Sequence, residues 1–109
     1  MHNLKEKEQV CINALEETCK KYEMENDYSI GVPSEQKVCI LKREDNWEVF
    51  IVERGIEFDK TKHKECIDAC LEVLKLCSYC NDEFKAASND FKKILLKKEQ
   101  VKLLKKCKL

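Results

Sequence analysis

Apolar and small residues recur every three or four positions from Leu4 through Val10, Cys11, Ala14, Leu15, Thr18 and Cys19 to Tyr22, with Lys, Glu and Gln between them. That spacing predicts an amphipathic helix over residues 4–22 with one buried face. Glu25, Asn26 and Asp27 then bring together residues that favour turns and caps, so the helix is expected to end there. The period next shortens to two and β-branched content rises, which predicts strands over 28–32, 37–42 and 47–53. Residues 33–35 and 44–46 are connections of hairpin rather than crossover length, so an antiparallel meander is expected. In the third strand Trp47, Val49 and Ile51 share one face, and Glu48, Phe50 and Val52 the other. Apolar residues on both faces imply a strand covered from both sides.

Gly55 punctuates that strand, and residues 56–58 have the pattern of a short fourth one. After Asp59 the helical period returns through Cys66, Ile67, Cys70, Leu71, Val73, Leu74 and Cys77, and again through Phe84, Ala87, Phe91, Ile94, Leu95, Val101 and Leu104. The break between these two runs is expected within 78–82, where Asn81 or Asp82 can cap a new helix. The inventory implies an α+β fold: an N-terminal helix, a small antiparallel meander of three to four strands, and two C-terminal helices packed on the sheet. A length of 109 residues suits a single domain over 1–109, with a Lys-rich amphipathic helical tail at about 92–109.

The formal net charge is zero, yet the charges are sorted along the chain. Residues 1–59 hold eight Lys/Arg against fourteen Asp/Glu, and residues 92–109 hold eight against one. An acidic front and a basic tail can steer a charged partner towards one pole. The tail alternates Lys92, Lys93, Lys97, Lys98, Lys102, Lys105, Lys106 and Lys108 with aliphatic residues, a pattern compatible with nucleic acid or anionic lipid. The plainer reading is a solvated Lys face on a helix that docks its leucines, against the acidic front half for instance, and nucleic acid is not the expected partner. Charged residues interrupt every apolar run, so no membrane span is expected. The charged start, MHNLKEKEQV, lacks the apolar core of a secretory signal, so a cytoplasmic location is expected.

Eight cysteines in a short chain raise the possibility of a disulfide scaffold, but 2 Gly, 1 Pro and long helical patterns do not suit one. They fit better as small apolar residues in a reducing compartment. Cys66, Cys70, Cys77 and Cys80 invite a zinc reading. Their spacing lacks paired CxxC knuckles, however, and a Cys66, Cys70, Val73, Cys77 stripe is what a helix core face looks like. No cofactor is therefore expected. Catalysis is not expected either: the chain has only His2 and His63, and the three-residue spacing of His63 and Cys66 at a helix start supplies no group to orient a base.

The segment Trp47-Glu48-Val49-Phe50-Ile51-Val52-Glu53-Arg54-Gly55, followed by Glu57 and Asp59, reads either as a core strand with a turn glycine or as a recognition element carrying acids and an Arg at one end. Together with the charged first helix, Tyr28-Ser29-Ile30, Ala69-Cys70 and Leu74, it resembles small immunity proteins of bacterial polymorphic toxin systems, specifically immunity family fifty-nine. The likeness runs from about Leu4 to Leu76; the Lys-rich tail lies outside it and the extra cysteines depart from it. The resemblance implies a cytoplasmic inhibitor that binds a cognate secreted toxin domain, a nuclease being the class an acidic face suits, and occludes its active site. In that reading Trp47 anchors or supports the binding site, Glu48, Glu57 and Asp59 supply negative charge, and Glu53 and Arg54 fix register. The alternative is a small zinc- or nucleic-acid-binding regulator using Cys66, Cys70, Cys77 and Cys80 or the basic tail. A homo-oligomer built on the tail helix is a further option.

Overall fold

In the computed structural model, residues 4–107 are described, with side chains as far as Val101. The order of elements is α1 (Glu6–Lys21), β1 (Tyr28–Ile30), β2 (Val38–Arg43), β3 (Asn46–Glu53), β4 (Ile56–His63), α2 (Cys66–Cys77) and α3 (Asn81–Cys107). The four strands form one sheet in the order β1-β2-β3-β4, giving the α+β arrangement that the hydrophobic periods imply.

The helices lie on one side of the sheet. Cys11, Ala14, Leu15 and Cys19 of α1, Ala69, Cys70, Val73 and Leu74 of α2, and Ala87 and Phe91 of α3 share a core with Val38, Ile40, Trp47 and Val49. Leu15, Leu74 and Phe91 are fully removed from solvent, and each such side chain contributes about 1.5–3 kcal/mol through burial. The break between α2 and α3 falls at Ser78–Cys80, inside the expected window. There the Ser78 backbone N–H and hydroxyl both return to the Leu74 carbonyl, and the Glu83 carboxylate accepts the Tyr79 N–H at 2.6 Å. One side-chain acceptor thus satisfies a donor at the start of the new helix.

The other face of the sheet carries no helix, yet Cys39, Leu41, Phe50 and Val52 are buried there. Part of the cover is the 31–37 segment, whose Ser34 N–H donates to the Cys39 sulfur at 3.3 Å and whose Gln36 N–H donates to the Val52 carbonyl at 2.7 Å. This segment also corrects the meander: β1 pairs parallel to β2, with Tyr28 beside Val38 and Ile30 beside Ile40. The chain turns at Gly31, whose φ of 84° lies in the left-handed region. It then crosses the helix-free face and turns again at Gln36 to re-enter the sheet in the original direction. Seven residues suffice because the crossover is a strap rather than a helix.

β2, β3 and β4 are antiparallel, as expected. The last hairpin turns on Arg54 and Gly55, both with positive φ (52° and 75°), the type I′ geometry whose twist matches that of paired strands. β4 is longer than the 56–58 segment read from the sequence. Residues 59–63 extend the strand rather than opening a helix, and a bulge interrupts it: Val49 faces Thr61 while Ile51 faces Phe58, so Asp59 and Lys60 together oppose Phe50. Asp59 accommodates the extra residue with a φ of 53°.

Candidate functional site

The bulge decides which charges meet on the helix-free face of the sheet. Residues three apart in a regular strand point to opposite sides. The inserted residue instead puts Glu57 and Lys60 on one side, where Lys60 Nζ lies 2.7 Å from Glu57 Oε1 and 3.4 Å from Glu48 Oε1. Arg43, across the sheet on β2, completes the group. It donates to Glu48 at 2.7 Å and grips Glu57 with both nitrogens, at 2.9 and 3.1 Å. Both cations also stand over the Phe50 ring, the Arg43 guanidinium carbon 5.1 Å and Lys60 Nζ 5.4 Å from its centre. The four charges form a polar roof over the Phe50 cluster. The hydrogen bonds from Arg43 and then Lys60 pull the Glu57 carboxyl down to about 2, and Glu57 in turn pushes the Arg43 pKa up.

Glu48 and Glu57, read from the sequence as charges for a partner, are paired with Arg43 and Lys60 within the fold. Of the two roles open to Trp47, the structure fits the supporting one. It is 1 % exposed on the helix side, packed in the core. Its indole N–H donates to Glu8 at 2.9 Å. Glu8, the third residue of α1, also accepts the Lys5 backbone N–H at 3.0 Å and holds Lys42 at 3.0 Å. Burial tends to raise its pKa, but the Lys5 N–H, Lys42 and Trp47 outweigh burial and keep it below the usual range. Glu8 therefore ties α1 to β2 and β3 at once. A Glu early in a helix is the ordinary signal of an N-terminal turn; its partners, 34 and 39 residues away, leave no local trace.

Glu53, Arg54 and Asp59 are exposed, and among the described residues no ion pair engages them. The turn that presents Glu53 and Arg54 is braced from behind: the Glu35 carboxylate accepts both the Arg54 and the Gly55 backbone N–H groups. Beside them, Ile56 and Phe58 are 58 % and 44 % exposed on the outer strand of the sheet. The resulting strip, from the β3–β4 turn along β4, combines two large apolar side chains with two unpaired carboxylates and one unpaired guanidinium.

A second grouping lies at the other end of β4. Cys66 and Cys70, one turn apart on α2, meet Cys11 of α1. The Cys70 sulfur is 3.7 Å from that of Cys11 and 4.0 Å from that of Cys66, and all three lie within 4.8 Å of one another. The neighbouring thiols of Cys66 and Cys70 draw Cys11 below the usual thiol range, against burial, while the other two are pushed up. Cys11 and Cys66 reach the wall of a cleft of about 420 Å³, which Lys5, Lys7 and Lys64 and also Glu8, Glu65 and Glu99 line.

The set Cys66, Cys70, Cys77 and Cys80 is thus not brought together. Three turns of helix separate Cys66 from Cys77, a rise of about 16 Å. Cys77 lies instead beside the Asp27 carbonyl at 3.9 Å, and Cys80 is exposed. The seven described cysteines are free thiols. His63 pairs with the Thr61 hydroxyl at 2.8 Å, and His2 lies outside the described residues. The tail docks in part on α1: Leu95 is buried, and Lys98 meets Glu17 at 3.1 Å. Lys102, Lys105, Lys106 and Lys108 fall outside the residues whose side chains are described. Among the described residues no helix is long and apolar enough to cross a membrane.

No protein-family model matches the chain, and no curated protein or solved structure matches it.

Proposed function

We propose that this protein is a cytoplasmic inhibitor of the immunity type, which binds a cognate toxin domain through the β3–β4 turn and the outer strand. The observation that carries this reading is the strip of Ile56 and Phe58 beside Glu53, Arg54 and Asp59 on a strand with no further partner in the sheet. Large apolar side chains exposed together and rimmed by charge are the usual make-up of a protein-binding surface. Unpaired carboxylates beside them favour a partner with a positive face, such as the phosphate-binding groove of a nuclease, and accelerate encounter with it. Glu48 and Glu57 act indirectly, by keeping Arg43 and Lys60 occupied beneath that surface. Trp47 holds the sheet to the helices.

The test is recovery of whatever remains bound at near-equal stoichiometry when tagged protein is drawn from its own cells under reducing conditions. The expected companion is the C-terminal domain of a large exported protein, and the combined variant Glu53→Lys, Phe58→Ala, Asp59→Lys should weaken the complex at least about tenfold, since loss of a central apolar anchor alone costs 1–2 kcal/mol or more. Undiminished binding by that variant would place the interface elsewhere, and the absence of any stoichiometric protein would remove the inhibitor reading.

A further inference from the structure

We propose that Cys11, Cys66 and Cys70 form a three-thiolate site for a soft divalent metal ion, Zn2+ in the first instance, whose fourth position opens to the cleft between α1 and the start of α2. Spacing is the leading argument. Four ligands around zinc at a Zn–S distance of about 2.3 Å stand about 3.8 Å apart, the edge of the tetrahedron. The Cys70 sulfur already sits 3.7 and 4.0 Å from the other two. Closing the remaining edge needs only a side-chain rotation of Cys11 or Cys66, because all three sulfurs are within 4.8 Å. The donors are also of one chemical kind. Three thiolates select thiophilic ions over Mg2+ or Ca2+, which take oxygen ligands.

The surroundings suit a charged complex rather than three neutral thiols. Cys66 is the first residue of α2, so the cluster lies at the end of the helix where the backbone dipole favours negative charge. A zinc ion with three thiolates carries one net negative charge, and the cleft above it is lined by Lys5, Lys7 and Lys64 as well as Glu8, Glu65 and Glu99. The Lys5 N–H, Lys42 and the Trp47 indole already claim the Glu8 carboxylate. Among the described residues no carboxylate or imidazole joins the three sulfurs within 4.8 Å, so a water or a small external donor completes the coordination. Packing alone explains why sulfurs touch; it does not explain why two of them reach the wall of a cleft lined by charged side chains. On binding, each thiol passes its proton to solvent as its sulfur lone pair enters the metal bond, with no change of oxidation state.

The experiment is titration of the fully reduced full-length protein with Co2+ under a non-thiol reductant, followed by competition with Zn2+. One equivalent of Co2+ should give an intense thiolate-to-metal charge-transfer band and the visible bands of four-coordinate cobalt, and one equivalent of Zn2+ should abolish both. Cys66→Ser, at the edge of the cluster, should weaken binding by more than the roughly 10–100-fold expected for loss of an outer-sphere partner. Cys70→Ser should do the same, with circular dichroism confirming that each variant is folded. The double variant Cys77→Ser, Cys80→Ser should leave the titration unchanged. A folded Cys66→Ser protein that binds Co2+ like the parent, a spectrum without thiolate charge transfer, or loss of binding in the Cys77/Cys80 variant would overturn the assignment. Tight uptake of Cu+ that Zn2+ cannot displace would overturn the choice of a divalent ion.

Discussion

Among single residues, Glu8 has the widest reach. Its carboxylate satisfies the only polar atom of a buried tryptophan, the first free N–H of a helix and a lysine from the sheet. Replacing it with Ala strands the indole N–H in an apolar site, a penalty of about 1–3 kcal/mol, and removes a helix-end contact worth about 1 kcal/mol. Glu8→Ala is expected to lower the urea midpoint by the equivalent of roughly 2–4 kcal/mol, whereas Glu8→Gln keeps an acceptor and loses about half as much. Equal losses in the two variants would mean that charge, not hydrogen bonding, governs the site. Glu57 makes a prediction about pH. Its folded pKa lies near 2, below the ordinary Glu value of about 4.3, so its contribution to stability is complete above about pH 5 and fades as pH falls towards 2. Acid unfolding of Glu57→Gln should therefore show a shallower loss of stability between pH 5 and 2 than the parent. A superimposable acid limb would show the carboxylate to be unlinked to folding. Glu8 was not singled out from the sequence, and Glu57 was read there as a charge for a partner, because the pairing of each with residues on other elements leaves no local trace.

At the level of elements, legibility followed burial. β3 was readable because Trp47, Val49 and Ile51 alternate with Glu48, Phe50 and Val52 and both sets are covered. β4 was half lost because Asp59-Lys60-Thr61-Lys62-His63 lies at the sheet's margin, where most side chains meet water and no apolar alternation is required. Alternation also fixes which face a residue occupies and not which way its strand runs, so the parallel pairing of β1 had no signal beyond Gly31. The thiol cluster escaped for a related reason: Cys66 and Cys70 were visible as a helical pair, but their third member is 59 residues from Cys70. The β3–β4 turn allows a local test. Gly55 has a φ of 75°, and an added methyl group would meet nothing within 4 Å. Gly55→Ala should then cost only the backbone preference, about 1–2 kcal/mol. A much larger loss in a thermal melt would indicate a neighbour packed on the turn.

For the molecule as a whole, α1 is the element that joins the other layers, and folding is expected to be all-or-none. It reaches α3 through Tyr22 and Lys21, which meet Asp90 at 2.5 and 2.7 Å, and the tail through Lys98 and Glu17. It reaches α2 through Cys11 and the sheet through Glu8. One continuous core then includes all three helices and one face of the sheet. Trp47, the single tryptophan, sits in that core, so its fluorescence and the far-ultraviolet signal of the helices should change at the same urea concentration. Two separated midpoints would show a helical layer that melts apart from the sheet.

The bulge in β4 bears on which changes of chain length the protein tolerates. Because Asp59 is the supernumerary residue opposite Phe50, deleting it alone leaves Glu57, Lys60 and Lys62 on their present side and Phe58, Thr61 and His63 on theirs. Deleting Lys62 instead would send His63 to the wrong face. Homologous chains should show a one-residue gap at position 59 far more readily than towards the end of the strand. Those that have it will carry a straighter outer strand, more open to pairing with a second copy.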